Sequence, residues 1–403
     1  KDLITPIRLG EIGIYTCGPT VYRYAHIGNM RTYMMADFVR RILEYRGIKV
    51  NHVKNITDVG HMRQELLETG GDKMILAALS EGKTIGEIAQ YYADQFHKDE
   101  RLLNILPATN YPWATDHIPE MPTMVEALVD KNRAYLVDGN IYYDVGQFND
   151  YGKLSRNIGG NLLEGVRVET DPLKKDPRDF TLWKQAEPGR DVYWDSKWGP
   201  GFPGWHIECS AMAEKYLGKT FDIHTGGIDN VFPHHEDEIA QSEAVFDAKH
   251  VNYWIHGQHL LADGAKMAKS SGNVFMVSDL IERGFDPIAF RYLCLTVRYR
   301  HRMNFTFSSL RASQKALDSL RLKLWQWKST GTYFKPTAST IKLENEFIEI
   351  IENDLDLPKG VAFIWNLVKS EISNAEKFYL ITKFDSILGL GLDEMPTEYL
   401  IPE

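Results

Sequence analysis

The chain has 403 residues, 43% hydrophobic and 25% charged, ordinary proportions for a folded protein of two or three domains. Lys and Arg number 46 against 55 Asp and Glu, a formal net charge of −9, which argues against a protein that merely coats nucleic acid but leaves room for a local basic surface. The sequence contains no run of 18 apolar residues, so no membrane span is expected. Cys17, Cys209 and Cys294 are too few and too dispersed for a disulfide framework, which points to a reducing, cytoplasmic setting.

Residues 12–16 form a short apolar run that ends at Cys17-Gly18-Pro19 and predicts a strand. From 27 to 45 the apolar positions Ile27, Met30, Met34, Phe38 and Ile42 recur at helical spacing, and Gly47 supplies a stop. Residues 48–56 alternate loosely and predict a second strand. Strand, helix and strand in this compass form a βαβ unit, which implies a parallel sheet. Residues 73–103 are helical in pattern, and the pattern breaks at 107–113. The stretch 115–195, rich in Gly, Asp and Pro, carries one helix near 118–132 and strand-like runs such as 140–145, and reads as an insertion. Strand signals return at 221–225 and 251–257 with a helix near 234–246 between them, so the parallel sheet resumes. From 305 onward the pattern is helical, over 308–326, 341–353, 357–370 and a weaker segment to 386.

Three constellations carry chemistry. Ala25-His26-Ile27-Gly28-Asn29 lies at a strand-to-helix turn, where free N–H groups and the helix dipole favour an anion. Gly28 allows close approach to the backbone, and His26 is either a phosphate donor or simply a helix cap. Gly264-Ala265-Lys266-Met267-Ala268-Lys269-Ser270-Ser271-Gly272-Asn273 sets two ammonium groups three residues apart in a glycine-bracketed loop. Such charges suit a pyrophosphate leaving group, although many Lys-Ser-Gly stretches are plain solvated surface. The third constellation is rich in histidine: His206, His224, His234, His235, His250, His256 and His259. His234 and Glu238 stand at i and i+4 and would share one helix face. With Cys17 and Cys209 they form a set of zinc-compatible donors. His235 competes with His234, and isolated thiols are more often inert buried groups.

Taken together, YTCGPTVYRYAHIGNMRTY, NITDV, DFTLWK, GWHIECSAMA, FDIHTGGIDNVFPHHEDEIAQSEA and KMAKSSGN resemble the class I aminoacyl-tRNA synthetases, with the closest likeness to the cysteinyl branch. The resemblance spans roughly residues 12–275 and extends more weakly to YGKLS and NDLDLPKGVAFIWNLVKS. It implies an α/β fold with a Rossmann-like parallel-sheet catalytic domain in two halves, 1–114 and 196–275. A connective subdomain, 115–195, would be inserted between them, and a stem-contact region and helical bundle, 276–403, would follow. By the same resemblance Cys17, Cys209, His234 and Glu238 would hold one Zn²⁺ per chain. Thr57, Trp205 and His224 would surround the amino acid, and Gly227 and Asp229 would contact the ribose of the adenylate. His26, Gly28, Lys266 and Lys269 would handle the phosphates of ATP, accompanied by Mg²⁺. Asn29 stands where the wider class has a His and would offer a neutral donor instead. Ala268 replaces a Ser between the lysines and removes neither charge. The family ends in a small anticodon-reading module, and that module is expected to be absent or truncated after Glu403.

The implied reaction is activation of L-cysteine by ATP and transfer to the 3′ end of tRNA(Cys), by a protein expected to be monomeric. Cysteine differs from serine by S for O, and size alone separates such pairs weakly. A soft metal would bind thiolate well and a neutral hydroxyl poorly. The segment Arg298-Tyr299-Arg300-His301-Arg302 would either meet tRNA phosphates or form a surface turn. Two other readings stand beside this one. A cysteine ligase acting on a small-molecule amine would fail to charge tRNA(Cys). A non-catalytic RNA-binding paralogue would lack ATP–pyrophosphate exchange, and the presence of His26, Lys266, Lys269 and the four donors argues against it.

Overall fold

The computed structural model describes residues 3–59, 82–156, 171–188, 190, 192–267, 273–328 and 334–393. The predicted βαβ unit is present as β1 (Glu11–Thr16), α1 (Ile27–Tyr45) and β2 (Lys49–Lys54). β1 pairs in parallel with β2 over its full length, from Glu11 opposite Lys49 to Thr16 opposite Lys54. The insertion follows α2 (Ile85–Leu102). It comprises α3 (Glu120–Asp130) and an antiparallel sheet of β3 (Ala134–Val137), β4 (Asn140–Tyr143), β5 (Phe180–Gln185) and β6 (Gly201–Pro203). α4 (Trp205–Leu217) leads back to β7 (Phe221–Gly227), and α5 (Glu236–Phe246) to β8 (Val251–Gly257). The four parallel strands lie in the order β2-β1-β7-β8, so the sheet resumes after the insertion as the strand pattern requires.

A small sheet of β9 (Leu260–Ala262), β10 (Ala265–Lys266) and β11 (Met303–Phe305), with α6 (Val277–Glu282) and α7 (Pro287–Leu295), connects to the C-terminal helices. These are α8 (Phe307–Lys328), α9 (Ala338–Glu352), α10 (Leu357–Lys369) and α11 (Asn374–Leu388). Among the described residues no helix is long and apolar enough to cross a membrane.

α1 is the central spacer. Its Val39 and Leu43 pack with Ile12, Ile14, Val50 and Ile223 of the sheet. Its Met30, Met34, Phe38 and Ile42 join the core shared with α7, α8 and the later helices. A helix apolar on so much of its circumference belongs inside a protein, and its buried charged residues Arg31, Asp37 and Arg41 are accordingly paired. Arg31 donates to the carbonyls of Gln258 (2.6 Å) and His301 (2.9 Å). Asp37 accepts from Arg41 (2.8 Å) and from Arg291 of α7 (2.5 Å). The arginine-rich segment 298–302 is partly spent on the bundle: Arg298 pairs with Asp356, Arg300 makes a two-bonded pair with Asp354 (2.8 and 2.9 Å), and Tyr299 donates to Asp354 (2.7 Å).

Candidate active site

In open parallel sheets, ligands bind in the crevice beyond the carboxyl ends of the strands. Here a cleft of about 300 Å³ opens in that place, beyond Thr16 of β1 and at Gly227 of β7. Cys17, His26, Gly28, Asn29, Trp205, Gly227 and Asp229 line it. Thr57, Cys209, His224, His234 and Glu238 are buried and are not lining residues. Cys17 joins the two groups, because its Sγ lies 3.3 Å from His235 Nε2 and 3.8 Å from Glu238 Oε1. Lys266 ends β10. Lys269 and the rest of its loop, residues 268–272, lie outside the described residues.

His26 does cap a helix. The N–H of Asn29 donates to His26 Nδ1 (3.2 Å) and the N–H of His26 donates to Asn29 Oδ1 (3.1 Å), a reciprocal box at the start of α1. Burial, reinforced by Arg23, lowers the imidazole to about 4, so at neutral pH it is uncharged. With Nδ1 accepting, the proton resides on Nε2, which leaves an N–H donor for an anion beside the helix N-terminus. Gly28 sits under a tight roof: a Cβ there would come within 2.5 Å of Met267 Cε and 2.9 Å of the His26 ring. Met267 belongs to the lysine loop, so the two segments expected to handle phosphate meet at this glycine.

Beneath Cys17 the donors gather. Cys209 lies in α4, His234 and His235 in a single wide turn (Val231–His235), and Glu238 in the first turn of α5. The regular helix thus starts after His234, yet the expected i, i+4 contact persists, with His234 Nε2 3.1 Å from Glu238 Oε1. Two groups bring all donor atoms within 4.8 Å of one another: Cys17, Cys209, His234 and Glu238, and Cys17, His224, His235 and Glu238. They share Cys17 and Glu238, whose other oxygen accepts from His224 Nε2 (2.8 Å).

Electrostatics separates the groups. Hydrogen bonding from Cys17 lowers the Cys209 thiol to about 6, against burial and with help from His234. Burial would push His234 down, but the charges of Cys209 and Glu238 raise it to about 10. Burial would likewise raise Glu238, but His224 and His234 hold it well below the usual carboxylate range. Burial pushes His235 well down and Cys17 well up. The first group thus sets a lowered thiol, a raised imidazole and a lowered carboxyl around the raised thiol of Cys17. A divalent cation replacing its protons would find two soft sulfurs, a nitrogen and an oxygen, a donor set that suits zinc.

Several contacts around the cluster were not foreseen from the sequence. Asn55 follows β2; its Oδ1 accepts from the N–H of Gly18 (2.9 Å) and lies 3.9 Å from Cys209 Sγ, and its amide donates to Thr57 (3.0 Å). A Cβ on Gly18 would overlap the Asn55 carbonyl at 1.6 Å, so the glycine is required for this approach. His206 and Asp237 extend the donor cluster outward, with His206 Nδ1 2.8 Å from His234 Nδ1. Trp205, 40% exposed, stacks on the His234 ring at 4.4 Å. Each of these residues lies within a quoted motif, but their partners are distant in sequence.

Residues 3–315 match the family model described as the tRNA synthetases class I (C) catalytic domain. The chain is 44% identical to cysteine–tRNA ligase 1 of Burkholderia lata, over 99% of this chain and 84% of that protein. It is 42% identical to the cysteine–tRNA ligase of Brachyspira hyodysenteriae, over 96% and 80%. The fold resembles that of Mycobacterium tuberculosis methionyl-tRNA synthetase in complex with methionyl-adenylate, with a TM-score of 0.62 at 14% identity, covering 94% and 90% of the two chains. With its donor cluster under a cleft at the strand ends, and these relatives spanning nearly its whole length, the chain belongs to the cysteine–tRNA ligase family of class I aminoacyl-tRNA synthetases.

Proposed function

We propose that this chain joins L-cysteine to tRNA(Cys) in two steps at the cleft, with zinc held by Cys17, Cys209, His234 and Glu238. The observation that carries this reading is the placement of that donor group directly beneath Cys17, which also lines the cleft beside His26 and Asp229. When bound, zinc would supply a soft Lewis-acid site that favours a thiolate over a hydroxyl.

The chain's own residues position and stabilise. The cysteine carboxylate attacks the α-phosphate of ATP and pyrophosphate leaves. A terminal ribose hydroxyl of the tRNA then attacks the activated carbonyl and AMP leaves. No side-chain nucleophile is needed, so the rate derives from positioning and electrostatics. His26 Nε2–H donates to phosphate oxygens, and Lys266 and Lys269 offset charge on the leaving pyrophosphate, which travels with Mg²⁺. Asn29 Oδ1 is committed to the helix cap, so its NH₂ is the group that would face a phosphate. Gly227 and Asp229 take the ribose. Trp205, Thr57 and His224 shape the amino-acid end. The two sheet halves, 1–114 and 196–275, act as one catalytic unit, with 115–195 as the connective subdomain and 276–403 carrying the acceptor stem. The protein works as a monomer in the cytoplasm.

The test is ATP–pyrophosphate exchange with cysteine and with serine, followed by charging of tRNA(Cys). Exchange with cysteine but not serine, and cysteinylation of the tRNA, are expected. Absence of cysteine-dependent exchange would overturn the reading.

A further inference from the structure

A line of side chains runs outward from the donor cluster into the inserted subdomain. His234 turns Nε2 toward Glu238 (3.1 Å) and Nδ1 toward His206 Nδ1 (2.8 Å). His206 in turn sets Nε2 3.2 Å from Asp237 Oδ2, an oxygen buried without a hydrogen-bond partner of its own among the described residues. The other oxygen, Asp237 Oδ1, accepts from the Tyr151 hydroxyl at 2.5 Å. His234 and Asp237 are about 1% exposed.

The direction of this line follows from counting protons. An imidazole that offers Nε2 to a metal must carry its proton on Nδ1. His234 Nδ1–H then faces His206 Nδ1 at 2.8 Å, which must accept. A neutral His206 accepting at Nδ1 carries its proton on Nε2, facing the bare oxygen of Asp237. We propose that His206 and Asp237, braced by Tyr151, are positioning residues that fix the tautomer and ring orientation of His234 as a zinc ligand, and so tie metal affinity to the inserted subdomain. This rests on the zinc reading above.

The bracing is built into the insertion. Tyr151 opens a turn whose Gly152 and Ser155 N–H groups donate to Glu236 (2.9 and 2.8 Å), so adjacent acids of α5 grip one loop. Carboxylate–histidine partners of metal ligands commonly change metal affinity 10–100-fold on removal.

The experiment measures zinc affinity by chelator competition, and the absorption of the cobalt-substituted protein, in four forms. In wild type, tight binding is expected. His206→Leu removes the acceptor and should weaken zinc binding by about 10–100-fold and alter the cobalt spectrum. His206→Asn places an amide oxygen near the lost Nδ1 and should recover most of the affinity, a rescue that a merely structural role would not give. Tyr151→Phe keeps His206 intact and should weaken binding a few-fold, which keeps the proposal testable if His206→Leu does not fold. Failure of wild type to bind zinc would overturn the zinc reading itself. Tight zinc binding by wild type with unchanged affinity and cobalt spectrum in folded His206→Leu, or, if that variant does not fold, with His206→Asn and Tyr151→Phe both unlike expectation, would overturn the positioning role alone.

Discussion

Asp37 and Arg291, 254 residues apart, meet at 2.5 Å with both side chains fully buried. Arg291 also donates to the carbonyls of Leu388 (2.6 Å), Leu103 (3.0 Å) and Asn104 (3.0 Å), so one guanidinium fastens α1, the end of α2, α7 and the end of α11. Gly389, in the left-handed conformation at φ 65°, leaves the room: a Cβ there would come within 2.7 Å of the guanidinium. Removing one partner strands a charge and several carbonyls. Arg291→Met should therefore lose about 3–5 kcal/mol in denaturant unfolding at neutral pH. A loss under about 1 kcal/mol would mean the contact is energetically idle.

The same pair gives an acid signature. Burial would raise Asp37, but Arg291 and Arg41 hold it below its ordinary value. A carboxyl depressed on folding contributes stability above its unfolded value, near pH 4, and loses it as pH falls through the lower folded value. The stability of wild type should decline more steeply below about pH 4 than that of Asp37→Asn, which has no proton to gain. Parallel pH–stability curves would contradict this.

Cys209→Ser replaces the lowered thiol with a hydroxyl. Zinc content should fall well below one per chain, and the KM for cysteine should rise by roughly tenfold or more. Metal analysis of the purified variant checks the first expectation; full occupancy would remove Cys209 from the ligand set.

At His26 the cap and the phosphate donor can be separated. His26→Asn keeps a good N-cap, whereas His26→Ala loses it at about 1 kcal/mol. Both lose the Nε2–H and should slow ATP–pyrophosphate exchange by about a hundredfold. Near-normal exchange in the Asn variant would leave His26 as a cap alone.

Elements with long-range pattern were readable from sequence and short ones were not. α1 spans Ile27–Tyr45 as its apolar spacing predicts, and β8 spans Val251–Gly257. Strands β6, β9 and β10 hold two or three residues each, too few to show a period, and β6 is Gly-Phe-Pro, which by composition argues against a strand. At the site, His234 and Glu238 announced themselves by spacing. The likeness to a known family was needed to bring Cys17 and Cys209 to them, since no local pattern links residues of two separate elements. His206 and Asp237 lay in full view inside recognised motifs, but their partnership depends on how α4 packs against α5, which spacing does not encode.

Glu236, Asp237 and Glu238 are consecutive, fully or almost fully buried, and placed in the first turn of α5, where the helix dipole favours negative charge. Each has a different duty: Glu236 holds the loop at 152–155, Asp237 receives Tyr151, and Glu238 serves His224 and His234. Successive helical residues point about 100° apart, so the turn acts as a three-way distributor. Gaining a single residue directly after His235 would swing each carboxylate about 100° away from its partner.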